Sequence, residues 1–139
     1  MKMKTHVTLL ILTFVTFFIT SCIKDTMQAT GSTAATPGRT IKFVLYTDEN
    51  YSTDDHNITF SLLIRAHSKT LFDSSLATIK VKDIPHFANR LVIEKKVPDD
   101  DGSALTTGFI YSIENVGVSG YFDTCQAGQI FKEVNYSFK

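Results

Sequence analysis

From Thr40 onward, apolar and polar residues alternate with a period of two, as in strands that bury one face and wet the other. Ile41, Phe43 and Leu45 alternate with Lys42 and Tyr46, and Ile58, Phe60, Leu62 and Ile64 with Thr59, Ser61 and Arg65. Ala77, Ile79 and Val81 alternate with Thr78, Lys80 and Lys82; Leu91, Ile93 and Val97 with Val92, Glu94 and Lys96. Leu105, Phe109, Tyr111 and Ile113 alternate with Thr106, Ile110 and Ser112. Val118, Gly120 and Phe122 alternate with Ser119, Tyr121 and Asp123, and Ile130, Val134, Tyr136 and Phe138 with Glu133, Asn135 and Ser137. In each segment the first set is expected to face the core. β-Branched and aromatic residues dominate, as half-buried pleated surfaces prefer.

Turn chemistry separates these segments. Asp48-Glu49-Asn50 through Asp54-Asp55 parts the first two, and Pro85 breaks the middle. Pro98-Asp99-Asp100-Asp101-Gly102 reads as a hairpin loop with Gly102 free to take positive φ. Asn115-Val116-Gly117 and Ala127-Gly128 mark the last two turns, and Asp83 to Asn89 has room for one helical turn. About seven short strands, each with one apolar face, predict an all-β fold: an antiparallel β-sandwich spanning 40–139, with Greek-key, immunoglobulin-like or transthyretin-like topology. The antibody-type arrangement is not expected, because the chain has no Trp and the domain has no pair of cysteines.

The first 22 residues follow a different logic. Lys2 and Lys4 form a positive head, and Val7 to Ile19 is an apolar stretch diluted by threonines. That stretch is shorter than the ~20 residues of a spanning helix and has the layout of a secretory signal peptide. It ends in Ile19-Thr20-Ser21-Cys22, which resembles the lipobox of bacterial lipoproteins. The resemblance implies cleavage after residue 21 and lipidation of the Cys22 thiol, the sulfur nucleophile that accepts the diacylglycerol. It also implies acylation of the new N-terminus, and stable membrane attachment through two or three acyl chains (palmitate among them). Ile23 is not acidic, which by the same resemblance favours the outer membrane. Lys24-Asp25 resembles the start of a surface-export signal, but Thr26 replaces its second acid.

Thr26 to Arg39 (TMQATGSTAATPGR) has no apolar periodicity and reads as a flexible tether. The expected organisation is therefore a signal peptide over 1–21, a lipidated cysteine and tether over 22–39, and the sandwich over 40–139. A free tether of that length would span ~20–25 Å.

Composition narrows the functional classes. The chain of 139 residues carries 14 basic and 14 acidic side chains, with 43% hydrophobic and 20% charged residues. This excludes a disordered or low-complexity chain, and the charge balance argues against nucleic acid as a partner. Removing residues 1–21 takes away Lys2 and Lys4 and leaves 12 basic against 14 acidic side chains. Two cysteines are too few for a disulfide-dense scaffold or a Cys-rich zinc fold.

Candidate chemistry in the domain is sparse. Cys125 has no domain partner, and His56, His67 and His86 lie in or beside loops outside any nucleophile motif, so Cys125 reads as a buried structural thiol. Asp99, Asp100 and Asp101, with Asp54 and Asp55, offer oxygens to a hard cation, but their spacing does not match a calcium loop and a solvated turn is the simpler reading. Glu94 and Glu114 fall on separate strands, and Asp123-Thr124-Cys125 lacks a nucleophile elbow. Tyr46, Tyr51 and Tyr121 either form a sugar-stacking face or cover sheet edges. No catalytic residue, metal ligand or cofactor is assigned. The expectation is a non-enzymatic binding or structural module at the bacterial cell envelope. Its lipid anchor holds it to the membrane and an envelope protein or glycan is its partner. The rival expectation is an envelope hydrolase or a hydrolase inhibitor.

Overall fold

The computed structural model describes residues 38–139; the signal segment, Cys22 and the tether up to residue 37 lie outside the described residues. Eight strands form, in chain order β1 (Thr40–Thr47), β2 (Asn57–Ala66), β3 (Lys69–Ser75), β4 (Ile79–Lys80), β5 (Leu91–Lys96), β6 (Leu105–Ile113), β7 (Gly117–Cys125) and β8 (Phe131–Phe138). They make two sheets. One has the order β5-β1-β8, and the other has the order β3-β2-β6-β7 with β4 also on β2. The all-β sandwich read from the alternation is the observed fold. Among the described residues no helix is long and apolar enough to cross a membrane.

Period-two burial explains the core. Ile41, Phe43 and Leu45 of β1 and Ile58, Phe60, Leu62 and Ile64 of β2 are all buried, against Leu105, Phe109, Val134 and Phe138. The centre is aromatic. Phe109 meets Phe43 edge-on at 5.6 Å and Phe60 at 6.5 Å, and Phe60 meets Phe138 at 5.9 Å. Such edge-to-face pairs suit the ring quadrupoles.

The topology departs from the simple pattern in four places. First, β3 is a strand that the alternation did not reveal. Its sequence Lys-Thr-Leu-Phe-Asp-Ser-Ser is mostly polar, and it follows a two-residue turn in which His67 takes φ 52. The usual Asn-Gly or Asp-Gly signal of such a turn is missing, and a register shift beside Ile64/Arg65 breaks its period.

Second, the expected strand over 77–82 shrinks to Ile79–Lys80. Val81–Asp83 and then Phe87–Asn89 turn into single 3₁₀ turns around Pro85. Third, Pro98–Gly102 is not a hairpin: β5 and β6 belong to different sheets, so this segment crosses the sandwich. Gly102 does take positive φ (+79). Fourth, β1 and β8 run parallel, Thr40 beside Phe131 through Thr47 beside Phe138. The other strand pairs are antiparallel.

The facing of β7 is the reverse of that expected. Tyr121, Asp123 and Cys125 pair with Phe109, Thr107 and Leu105 on the inner face, so Val118, Gly120 and Phe122 look outward. The cause lies in the neighbouring strand. A Cβ on Gly108 would strike the Tyr121 carbonyl oxygen and sit 3.0 Å from the Phe122 ring, and one on Gly120 would sit 3.0 Å from the same ring. Phe122 therefore packs across two glycines on the outer face. Its place inside is taken by Tyr121, which stacks on Tyr136 at 5.0 Å.

Candidate binding surface at the far pole

The registers give the sandwich two poles. Arg39, the 98–104 crossing, the 67–68 turn and the 126–130 crossing sit at the pole where the described chain begins. The 48–56 loop, residues 81–90, the 114–116 turn and Lys139 sit at the other.

The entry pole is locked by a buried ion pair. Arg39 is 2% exposed, and its Nε donates to Asp100 Oδ2 at 2.7 Å while Nη2 pairs with Asp100 Oδ1. Its Nη1 donates to the Ser103 carbonyl oxygen. The Asp100 carboxyl also accepts the Gly102 backbone N–H at 2.9 Å. The Arg39 hydrogen bond, aided by that N–H and by the Arg39 charge, holds the Asp100 carboxyl down to about 2. Of the three consecutive acids, then, Asp100 is a structural anchor, while Asp99 and Asp101 stay exposed. Arg39 closes what reads in sequence as a tether, and it is part of the folded domain. Its signal was a lone long cation directly before the first alternating segment.

Cys125 is fully buried at the same pole, with its Sγ 3.6 Å from the Gln129 carbonyl oxygen. Burial pushes its thiol up despite the nearby Arg39 charge, which keeps it protonated and unreactive. His56 and His86 lie at the far pole. His67, in the β2–β3 turn at the entry pole, is exposed, while Cys125 is fully buried with its Sγ directed at the Gln126 and Gln129 carbonyl oxygens, so the described residues do not assemble a thiol–imidazole pair.

The far pole carries an open polar depression of about 590 Å³, lined by Thr53, Asp54, Asp55, His56, Glu114 and Asn115. Local hydrogen bonds shape it. Asp54 N–H donates to the Tyr51 carbonyl oxygen at 2.9 Å, and Asp54 Oδ1 accepts His56 N–H at 3.0 Å while lying 2.7 Å from His56 Nδ1. These His56 contacts hold the Asp54 carboxyl below the usual carboxylate range. Asp55 pairs with Lys82 at 2.6 Å and is lowered by that hydrogen bond. Asn57 Nδ2 donates to Glu114 Oε2 at 2.6 Å. Asn115 takes φ 60 at the tip of the β6–β7 turn, where Val116 is 69% exposed.

These carboxylates already have partners, and they do not converge on one point. Among the described residues no group of three His, Cys, Asp or Glu side chains is placed to hold a metal ion. What the depression offers is a set of hydrogen-bonded acceptors next in sequence to the exposed Val116.

Other expected constellations are dispersed. Glu94 lies on β5 in one sheet and Glu114 follows β6 in the other. The three tyrosines do not share a face: Tyr46 meets Phe87 edge-on at 5.1 Å, Tyr51 packs on Phe138, and Tyr121 stacks on Tyr136. Sequence reasoning missed that Tyr111, Tyr121 and Tyr136 form one stacked row across the seam between the sheets. Burial, together with the Tyr111 hydroxyl, raises the Tyr136 phenol far above its ordinary value. Asp123, also inward on β7, pairs with Lys132 of β8 at 2.6 Å. No known family model matches the chain, and comparison with curated proteins and with solved structures finds no match.

Proposed function

We propose that the chain is a lipid-anchored protein of the bacterial cell envelope whose β-sandwich is a non-enzymatic binding module, presenting its far pole to an envelope protein or glycan. The observation that carries this reading is the polarity of the domain. The chain enters the sandwich at Arg39, pinned there by Asp100 and Ser103, while the open depression and exposed Val116 lie at the opposite pole. A protein held at Cys22 by acyl chains would be attached through its Arg39 pole, which leaves the 48–56 loop and the 114–116 turn at the end of the domain away from the attachment.

Two measurements test the proposal. Cells fed a labelled fatty acid should label the wild type and not Cys22→Ala; equal label in both would refute the anchor. A photo-crosslinking residue at Asn115 should then trap a partner in the envelope, and the same residue at Asp101, on the entry pole, should not. Equal trapping from the two sites would refute the far-pole binding surface.

A further inference from the structure

We propose that β7 is a self-association edge, through which two copies of this chain pair antiparallel about a twofold axis at Gly120 and join their larger sheets into one. Among the described residues β7 is the last strand of its sheet, hydrogen-bonded to β6 on one side only. A strand edge of this kind offers a row of backbone N–H and C=O groups to any strand that can match it.

The other edges of the sandwich are guarded and this one is not. β5 carries Glu94, Lys95 and Lys96, and β8 carries Lys132 and Glu133. β3 carries Lys69 and Asp73 and has an irregular register against β2, while β4 has only two residues. Charged side chains and bulges are the ordinary devices that keep edges from pairing. β7 reads Gly-Val-Ser-Gly-Tyr-Phe-Asp-Thr-Cys over nine residues, with no Lys, Arg or Pro. Its one charge, Asp123, is paired inward with Lys132.

The outer face of β7 is apolar and symmetric about Gly120. Val118 is 71% exposed and Phe122 49%. In an antiparallel pair centred on Gly120, Val118 of each copy lies opposite Phe122 of the other, and Ser119 lies opposite Tyr121. Asp123 then faces Gly117, so no like charges meet. Cross-strand aromatic–β-branched pairs are among the favourable ones in sheets. A strand whose two exposed apolar residues are each other's partners under twofold rotation is matched to a second copy of itself, the isologous contact of a closed dimer.

The test uses the full chain in cells that express it. The double variant Val118→Cys/Phe122→Cys should give a disulfide-linked dimer on oxidation, and neither single variant should. In a single variant the two equivalent cysteines lie about four residues out of register, ~13 Å apart. No dimer in the double variant, or equal dimer in the singles, would overturn the proposal. As an independent measurement, two differently tagged copies should co-purify from a detergent extract, and Val118→Lys should reduce recovery by about tenfold. Val118 points to solvent, so a thermal melt matching the wild type separates this effect from misfolding. Failure of the wild-type copies to co-purify means that the edge is free or covered by something else, and sinks the idea whatever the fate of the anchor.

Discussion

Asp100→Ala should be among the most damaging single changes in the domain, although it lies in a loop. It removes both carboxylate oxygens from the Arg39 guanidinium and leaves a cation 2% exposed, with the Ser103 carbonyl oxygen still against it. Breaking a buried pair from one side typically costs ~3–5 kcal/mol, because the remaining charge is desolvated without compensation. A domain of this size has about 5–15 kcal/mol to lose. Asp100→Asn keeps the shape and loses the charge, and its cost follows from proton linkage. The carboxyl moves from its ordinary 3.8 to about 2 on folding, nearly two decades of proton affinity at ~1.36 kcal/mol each, or about 2 kcal/mol.

The sign fixes the pH window. A depressed carboxyl stabilises the fold fully above its unfolded value near 3.8, and the contribution disappears as pH falls toward about 2. Urea melts of residues 38–139 at pH 7, 5, 4 and 3 would check this. The gap between wild type and Asp100→Asn should be constant from pH 7 to 5 and narrow below about 4. A gap that stays constant down to pH 3, or an Asp100→Ala cost under about 1 kcal/mol, would refute the reasoning. The paired replacement Arg39→Met/Asp100→Leu should recover most of the loss, since well-packed apolar groups often match a buried ion pair.

Two further stability changes follow from the packing. Phe60→Ala should cost about 3–5 kcal/mol, since its ring is buried among Phe109, Tyr111 and Phe138. Ser61→Ala loses only an exposed hydroxyl contact to Ser75 and should cost under about 1 kcal/mol; thermal melts giving equal losses would show that the facing of β2 is wrong. Gly108→Ala should cost more than about 2 kcal/mol, because the new methyl group collides with the Tyr121 carbonyl oxygen and must part β6 from β7. Gly102→Ala, in open space but at φ +79, should cost only about 1 kcal/mol. If Gly108→Ala proved the milder of the two, the outer-face packing of Phe122 would be wrong.

The sequence by itself determined the strands that bury a clean stripe. Ile41-Phe43-Leu45 and Ile58-Phe60-Leu62-Ile64 announce their inner face because every second residue is apolar, and a shift by one would expose them all. The positive φ of Gly102 was legible too, because a loop glycine beside Asp-Asp-Asp has few other uses. The tertiary structure alone decided the facing of β7. Val118 and Phe122 look like core residues until Gly108 on the neighbouring strand is seen to provide an outer shelf, and that neighbour is set by the pairing of Gly108 with Phe122, 14 positions apart. Only the tertiary structure, likewise, showed that Pro98–Gly102 crosses between sheets and that Asp100 spends its charge on Arg39, 61 positions away. Local alternation reports what a residue would prefer to bury. Which sheet a strand joins, and which charge meets which, depends on partners distant in sequence, and nothing in the local pattern encodes them.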